Sequence, residues 1–252
     1  MKLRVINTNT IDPYLNCSLE KILHEKCIST NELIIRFWRN DKSVIMGRTQ
    51  NIEKEVNLAF CDENNIKIVR RHSGGGTVFN DLGNLNTTFI IPIKLLRGRY
   101  VSEFSVEIRE KMMKTLIDIG IESIKSEGIS NIFIGEKKIS GSAGHLKKGW
   151  FLHHASLLID CNLKYLNKSI LARENNPVGK NESRYFETTN LTDKFDFDID
   201  RYKESIVNSL ATQYDLKVEI SQISDNEMND AKKLKEKLFD KKKWIFHGKR
   251  NL

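Results

Sequence analysis

The segment from Arg70 to Asp81 reads RRHSGGGTVFND and places three successive glycines behind two arginines. Glycine has no side chain and reaches φ > 0, so the backbone can turn sharply and present its N–H groups to a ligand. Such N–H groups beside two guanidinium groups form a concave positive site suited to phosphate or carboxylate. The apolar residues on either side predict a strand-to-strand turn. The alternative is a plain hairpin turn with solvated arginines, and neither the dinucleotide pattern GxGxxG nor the P-loop pattern GxxxxGK[ST] fits.

A second segment, from Gly135 to Ala143, reads GEKKISGSA and follows the apolar run Ile132–Ile134. The run predicts a short strand, so Lys138 is expected just after its end. A lysine ammonium is a compact positive charge with three hydrogen-bond donors on a long stem. It is therefore suited to contact two anionic oxygens at once.

Together the two segments resemble the lipoate-protein ligase family, whose pattern is RRxSGGGxVxHDxGN followed further along by GxKIxGxA. Shorter matches occur in the same order. They are Asp12–Asn16 for DPxxN, Phe37–Arg39 and Gly47–Asn51 for WR…GRxQN, His153–Leu158 for HHGTLL, and Thr189–Leu191 for VTNL. The resemblance spans roughly residues 3–193 and is to a short form of the family without its C-terminal accessory domain.

The resemblance implies ATP-dependent activation of lipoate or octanoate to acyl-AMP, followed by attack of a carrier lysine. The first step brings a carboxylate against the α-phosphate, and the family pattern makes Lys138 the cation that contacts both anions. Loss of such a donor costs about 3–4 kcal/mol, or roughly 10²–10³ in rate. Lys137 is the neighbouring alternative. Ser140, Gly141 and Ala143 are small, as closure over an acyl chain requires.

The resemblance also implies two sets of binding residues. For ATP they are Arg71, Gly75, Gly76, Thr77, Val78, Phe79 and Lys138. For lipoate or lipoyl-AMP they are Trp38, Arg71, Ser73, Gly75, Gly76, Lys138, Gly141, Ala143 and His154. Arg70 is expected in a structural ion pair. Trp38 is either core or a wall of the acyl pocket, and the wall is favoured. His153 or His154 orients the carboxylate or helps deprotonate the amine, and the alternative is a buried structural histidine.

Two positions depart from the family pattern. Asn80 replaces its histidine, which removes a titrating imidazole, and Ser130-Asn131 replaces its Asn-Asp pair, which removes a carboxylate near Mg²⁺. Mg²⁺ is expected as a cofactor, but no residue is assigned as its ligand. Adenylation is therefore the less secure half of the mechanism.

Composition and charge limit the kinds of partner that the chain is expected to bind. The chain has 252 residues, 39% of them hydrophobic, and a net charge of +8. No apolar run approaches eighteen residues and no signal peptide is visible, so we expect a cytoplasmic protein without a membrane partner. Much of the lysine lies near the C-terminus, without a nucleic-acid-binding motif. An acidic carrier explains this charge, namely a lipoyl domain of a 2-oxoacid dehydrogenase complex or the glycine cleavage H protein. A solvated lysine-rich helix is the alternative.

Competing functions remain within the same fold. A thioester transferase needs an active-site cysteine, but Cys17, Cys27, Cys61 and Cys161 are dispersed and none lies in residues 120–150. A transferase using preformed acyl-AMP, or a weakly catalytic subunit that needs a partner, stays open. A biotin ligase fits the paired motifs less well.

Many relatives carry a small accessory domain that the sequence ending at Leu252 does not include, so a separate accessory subunit is expected. Residues 244–246 either dock it or pack internally.

The periodicity predicts an α+β fold with mixed, largely antiparallel sheets and flanking helices. The resemblance implies the biotin/lipoate ligase catalytic fold, similar to the class II aminoacyl-tRNA synthetase core. We expect one catalytic domain over residues 1–252, with the motifs in 3–193 and a helical, basic part in 194–252. We expect a helix starting at Asp12-Pro13, whose apolar positions are Leu15, Leu19, Ile22, Leu23 and Cys27, and a hairpin formed by Leu33–Trp38 and Ser43–Met46. Further along we expect a helix over Ser102–Ile119, an active-site loop over residues 161–193 with a helical Leu163–Leu171 in front, and surface helices over residues 200–214 and 225–239.

Overall fold

Two β-sheets of unequal size carry the chain, whose computed structural model describes residues 1–172 and 182–248. The strands of the large sheet are β1 (Lys2–Asn7), β2 (Leu33–Trp38), β6 (Asn84–Pro92), β7 (Ile124–Glu127), β8 (Asn131–Ile134), β9 (Lys137–Lys147), β10 (Trp150–Leu158) and β11 (Lys217–Ser221). Those of the small sheet are β3 (Ser43–Met46), β4 (Lys67–Arg70) and β5 (Val78–Asn80).

The strand orders are β11-β1-β2-β6-β10-β9-β8-β7 and β4-β3-β5. In the large sheet β1 pairs in parallel with β11 and β2, and every other neighbouring pair is antiparallel. In the small sheet β3 is parallel to β4 and antiparallel to β5. The expected α+β architecture with mixed, largely antiparallel sheets is confirmed.

Helices cover both faces of the large sheet and also pack on the small sheet. The helices of the described residues are α1 (Pro13–Thr30), α2 (Ile52–Glu55), α3 (Leu58–Glu63), α4 (Val101–Asp118), α5 (Leu163–Ser169), α6 (Ile199–Tyr214), α7 (Asp225–Leu234) and α8 (Lys242–His247), with a 3₁₀ turn at Ile93–Leu95 and a π-helical turn at Lys235–Phe239. The predicted start of α1 is confirmed, because the Asp12 carboxylate accepts the N–H groups of Tyr14 and Leu15 and Pro13 occupies the first turn.

Successive side chains along each strand point to opposite faces of the large sheet. Ile35 and Phe89 point towards α4 and α6 and share a core with Ile108 and Ile206. Their neighbours point the opposite way, where Ile34, Ile90 and Leu152 pack on Leu23 of α1. The face covered by α1 is the one that also carries the candidate site.

One predicted connection is wrong. Residues 33–46 do not form a hairpin, because β2 pairs with β1 and β6 of the large sheet whereas β3 lies in the small sheet. The glycine loop does connect two strands, β4 and β5, as predicted, but the alternative of a plain hairpin turn is excluded because both strands pair with β3 and lie on opposite sides of it. The loop therefore crosses the end of the small sheet.

Most of the other expected elements are confirmed. The helix predicted over residues 102–119 is α4, and the one predicted over residues 225–239 is α7 followed directly by the π-helical turn, which ends it at Phe239. In α6, Tyr202, Ile206 and Leu210 are buried in the core. The helical segment predicted at Leu163–Leu171 is α5, whereas part of the loop predicted after it, residues 173–181, lies outside the described residues. Within the described ranges, no helix combines the length and apolar character needed to cross a bilayer.

Candidate active site

Two adjoining cavities lie between the glycine loop, the large sheet and residues 182–188. The larger cavity has a volume of about 360 Å³ and the smaller one about 110 Å³. They share part of their lining, which is formed by Thr77, Val78, Lys138, Gly141, Ser156, Ser183, Arg184 and Phe186. An elongated ligand can therefore occupy both.

The floor of the site consists of two neighbouring rows of residues across the large sheet. Cross-strand register fixes both rows, and since alternate side chains share a face, all of these residues face α1. One row is Trp38, Asn86, Ser156, Gly141 and Asn131, and the other is Arg36, Thr88, His154 and Ala143.

The glycine loop is held by Arg71. Its guanidinium donates to Ser73 Oγ (2.9 Å) and to the carbonyls of Ile45 (3.0 Å), Gly74 (2.5 Å) and Gly76 (2.8 Å). These bonds use four of its five N–H groups, so Arg71 shapes the loop even though it also lines the larger cavity. Gly75 has φ +84, and an added Cβ there would lie 2.9 Å from Ala143 Cβ. The loop thus needs glycine at this position.

A chain of buried polar groups runs beneath the loop. His154 Nε2 lies 2.9 Å from Ser73 Oγ, and its Nδ1 lies 3.0 Å from Glu20 Oε1. The same Glu20 oxygen accepts the Thr88 hydroxyl at 2.6 Å, and Thr88 Oγ1 accepts the Trp38 indole N–H at 2.8 Å. Burial acts to raise the pKa of Glu20, but the charge and hydrogen bond of His154 outweigh it and lower that pKa to about 2. The chain therefore fixes one wall of the larger cavity.

Lys138 lies at the wall shared by the two cavities. It follows the end of β8, as expected, but it lies in a strand of its own as the second residue of β9, and its side chain is partly buried. Its Nζ lies 5.0 Å from the centre of the Phe186 ring, and none of the described residues forms an ion pair or hydrogen bond with it. Burial lowers its pKa to about 8 despite the opposing charge of Glu127. Lys137 instead pairs with Glu187 at 2.6 Å near the surface.

Residues 182–188 form the roof over Lys138. Ser183 Oγ accepts the N–H of Thr77 at 2.7 Å, and Glu55 accepts the Ser183 N–H at 2.9 Å and also its hydroxyl. Gln50 joins the same cluster, since its Nε2 donates to Ser183 Oγ at 3.1 Å. The N–H of Lys138 itself donates to the Glu187 carbonyl at 2.8 Å. The roof is thereby tied to both the glycine loop and β9.

The positions that depart from the family pattern carry uncharged side chains. Asn80 is buried and donates to Ser156 Oγ (3.0 Å) and to the Phe79 carbonyl (2.9 Å), while Ser130 and Asn131 line the larger cavity. Among the described residues, no three His, Cys, Asp or Glu side chains are placed to hold a metal ion. The nearby carboxylates Glu20 and Glu55 are already hydrogen-bonded. Within residues 1–172 and 182–248, the side chains thus do not form a Mg²⁺ site of their own, and no step of the proposed mechanism depends on one.

The predicted site residues come together, with two exceptions. Thr77, Val78, Phe79, Lys138 and Gly141 line the smaller cavity, and Trp38, Arg71, Gly76, Ala143 and His154 are among those that line the larger one. Ser73 and Gly75 line neither cavity and support the loop from behind. His153 points to the other face, is fully buried, and its ring nitrogens have no partner among the described residues. Burial lowers its pKa to about 3, and of the two neighbouring histidines it is His154 that lines the larger cavity.

Two expectations about the C-terminal part are corrected. Arg70 is structural but not in an ion pair, because its partners in the described ranges are backbone carbonyls, including those of Gln50 (2.7 Å) and Ile245 (2.9 Å). Trp244 and Ile245 are buried against their own chain, and Trp244 Nε1 donates to the Arg70 carbonyl at 2.7 Å. Only Phe246 of that cluster is exposed, at 41%. The internal packing alternative is therefore correct for Trp244 and Ile245.

Sequence reasoning missed Glu20, Glu55, Asn86, Ser156 and Phe186. For Glu20 a signal exists, because Asn16, Glu20 and His24 recur at a spacing of four and are all buried on α1. Glu55 and Phe186 have no such local signal. Their places depend on contacts with distant segments.

The chain belongs to the family described as the lipoyl protein ligase A/B catalytic domain, whose model matches residues 12–232. Lipoate-protein ligase A of Bdellovibrio bacteriovorus is 30% identical over 250 residues, which cover 96% of this chain and 71% of that protein. A chain from the structural analysis of a bi-partite lipoate protein ligase and its E2 lipoyl domain from Thermoplasma acidophilum aligns with a TM-score of 0.83 at 25% identity, over 98% of this chain and 96% of that one. A lipoate-protein ligase A bound with ATP aligns with a TM-score of 0.83 at 26% identity, over 98% and 99%. The expected lipoate ligase catalytic fold is confirmed.

Proposed function

We propose that this chain activates lipoate or octanoate with ATP and transfers the acyl group from acyl-AMP to a lysine of a lipoyl carrier domain. The observation that carries the proposal is the ammonium of Lys138, free of ion pairs with the described residues, at the wall shared by two cavities. The family membership and the relatives' names support the same activity. The ATP-bound relative supports ATP as the nucleotide.

In the first half-reaction, an oxygen of the lipoate carboxylate bonds to the α-phosphorus of ATP while the bond to pyrophosphate breaks. Lys138 holds the two anions together and stabilises charge on the transferred phosphate. The acyl chain occupies the larger cavity beside Trp38 and His154, and the nucleotide occupies the smaller one beside Thr77, Val78 and Phe79. Arg71 contributes mainly by holding the glycine loop in shape, with one N–H left for a ligand oxygen.

In the second half-reaction, a carrier lysine attacks the acyl carbon and AMP leaves. The archaeal bi-partite ligase and its E2 lipoyl domain support a lipoyl domain as acceptor, and the net charge of +8 favours an acidic one. Which carrier is modified, 2-oxoacid dehydrogenase or glycine cleavage H protein, is part of the proposal. We also assign residues 194–248 to the same catalytic domain, since α8 is bonded to β4 through Trp244 and Arg70.

The direct test is pyrophosphate release by the purified chain with ATP, lipoate and Mg²⁺, together with lipoylation of an apo lipoyl domain followed by mass. We expect both products, and both lost in Lys138→Ala. Absence of carrier lipoylation from ATP and lipoate and also from supplied lipoyl-AMP would overturn the proposal.

A second candidate, transfer from acyl-AMP with adenylation dependent on an accessory subunit, is favoured by Ser130-Asn131 and by the bi-partite relative. Closure of the site by a partner fixes the reactants and excludes water, and we expect this to accelerate adenylation more than acyl transfer. It predicts fast transfer from supplied lipoyl-AMP and slow pyrophosphate release until the accessory subunit is added. Fast pyrophosphate release by the chain alone, unchanged by that subunit, would exclude it.

A further inference from the structure

Two uncharged donors lie at or beside the shared wall of the two cavities, and neither has a role in the proposed function so far. They are the Asn86 side-chain amide and the Ser156 hydroxyl, which face each other as cross-strand partners on β6 and β10. Asn86 is only 4% exposed and lines the larger cavity, whereas Ser156 lines both cavities. Their side chains lie on the same face of the sheet, facing α1.

The proton of Ser156 is directed by its neighbours. Asn80 Nδ2 donates to Ser156 Oγ at 3.0 Å and Asn84 Nδ2 approaches it at 3.3 Å. The orientation of both amides is fixed by backbone groups, since Asn80 Nδ2 also donates to the Phe79 carbonyl (2.9 Å) and Asn84 Oδ1 accepts the Asp81 N–H (2.9 Å). With both lone pairs of Ser156 occupied, its hydroxyl can only donate. No described residue accepts that proton, so it remains for a ligand in the cavities.

Asn86 presents a similar donor. Its Nδ2 is buried and has no hydrogen-bond partner among the described residues. A buried polar group without a partner costs about 1–3 kcal/mol, which a ligand oxygen in the cavity would remove. Two neighbouring donors without an acceptor are suited to an oxygen that carries or gains negative charge.

Lys138 completes the arrangement. Gly141 is the cross-strand partner of Ser156, and an added Cβ at Gly141 would lie 3.0 Å from Lys138 Nζ. Gly141 thus leaves space through which the ammonium approaches the same part of the wall. One charged donor and two neutral donors surround the junction of the cavities.

We propose that Asn86 and Ser156 bind the acyl carbonyl oxygen of acyl-AMP and stabilise the oxyanion that forms when the carrier lysine attacks. This inference rests on the proposed function. In that step the lysine nitrogen bonds to the acyl carbon, the carbonyl electrons move to its oxygen and return, and the carbon–oxygen bond to AMP breaks. AMP leaves with that electron pair and one amine proton passes to solvent. The two donors are catalytic residues, and Asn80 is a positioning residue that acts through Ser156.

The test uses the full chain, chemically supplied lipoyl-AMP and an apo lipoyl domain, and measures the single-turnover transfer rate at saturation. We expect Ser156→Ala and Asn86→Asp each to slow transfer about a hundredfold, the size typical for loss of one oxyanion donor. Ser156→Thr, which keeps the hydroxyl, should restore most of the rate. Thr87→Val removes a hydroxyl from the next residue of β6, on the opposite face, and should transfer at the wild-type rate.

Asn80→Asp tests whether the Ser156 hydroxyl must point its proton at the ligand or need only be present. An aspartate at this position accepts the Ser156 proton and turns it away from the ligand, so we expect a loss similar to that of Ser156→Ala. The double variant Asn80→Asp/Ser156→Ala should be no slower than either single variant, because both substitutions remove the same hydrogen-bond donor.

Wild-type transfer rates at saturation in Ser156→Ala and Asn86→Asp would overturn the inference, as would a loss confined to the affinity for lipoyl-AMP. A fully additive double variant would overturn the positioning of Ser156 by Asn80. Urea unfolding of each variant separates these results from loss of the fold. A wild-type chain that transfers nothing from lipoyl-AMP would instead contradict the proposed function.

Discussion

His154 and Glu20 are joined side chain to side chain, with His154 Nδ1 at 3.0 Å from Oε1 and 3.1 Å from Oε2 of the carboxylate. An ionised carboxylate only accepts hydrogen bonds, so Nδ1 carries a proton and Nε2 faces Ser73. The pair connects α1 to β10 directly beneath the glycine loop. It therefore links the fold of the N-terminal helix to the shape of the larger cavity.

Glu20→Gln should reduce the pH dependence of stability in acid. The pKa of Glu20 is lowered to about 2, compared with about 4.3 in an unfolded chain, so the carboxylate stabilises the fold above the unfolded value. This contribution, about 3 kcal/mol by linkage, is lost as the pH falls from about 4.3 towards 2. Urea unfolding between pH 6 and pH 2.5 measures it. The exposed Glu63→Gln should keep the wild-type slope, and an unchanged slope in Glu20→Gln would contradict the coupling.

The glycine loop and Lys138 are recognisable from the sequence because each lies in a contiguous motif. The structure places both beside the cavities, and their roles in binding and catalysis stay predictions. The hairpin over residues 33–46 failed for the opposite reason. Local spacing identifies β2 as a strand but not its partner, and Trp38 pairs with Asn86, far along the chain.

Polar residues on buried faces of helices and strands were harder to predict from the sequence. Counting apolar positions on α1 included Leu15 and Ile22, which are only half-buried, and left out the buried Glu20. Ser156 and Asn86 stand on buried strands, where a single polar residue resembles an ordinary satisfied core group. Their role as donors emerges only from the hydrogen bonds of their neighbours.

Replacing the four cysteines should leave acyl transfer intact. All four are free and buried, and burial raises the pKa of each thiol, that of Cys61 to about 11. A thiol of raised pKa is a poor nucleophile at neutral pH. We expect alanine variants of Cys17, Cys27, Cys61 and Cys161 to transfer within about threefold of wild type, with some loss of stability. An acyl adduct trapped on Cys161 and found by mass would support a thioester transferase instead.

Glu55→Ala should weaken ATP binding. Glu55 accepts the N–H of Ser183 at 2.9 Å and lies 2.9 Å from Thr77 Oγ1, so its removal leaves donors of the roof and the glycine loop unpaired. We expect KM for ATP to rise about tenfold, or about 1.4 kcal/mol, with a smaller effect on transfer from supplied lipoyl-AMP. Glu53→Ala, an exposed change on the same helix, is the matched control. Equal KM values in the two variants would show that the Ser183 contacts do not hold the nucleotide site.

Lys138→Ala should abolish acyl-AMP formation, whereas Lys137→Ala should stay near the wild-type rate. Lys138 adjoins both cavities without an ion pair among the described residues, and Lys137 is paired with Glu187 near the surface. Loss of the cation should cost roughly 10²–10³ in rate, measured as pyrophosphate release. Circular dichroism and urea unfolding check that the fold persists. Equal activity in the two variants would show that Lys138 is not the cation.

Adenylation should decline as the pH rises through about 8. Burial lowers the pKa of Lys138 to about 8, so in the free enzyme the ammonium loses its proton above that pH and can no longer hold two anions. The profile of kcat/KM reports groups of the free enzyme, and we expect its basic limb near pH 8. Lys138→Arg keeps a charge at every accessible pH, so a slower variant should lack this limb. The same basic limb in wild type and Lys138→Arg would assign the titration to another group.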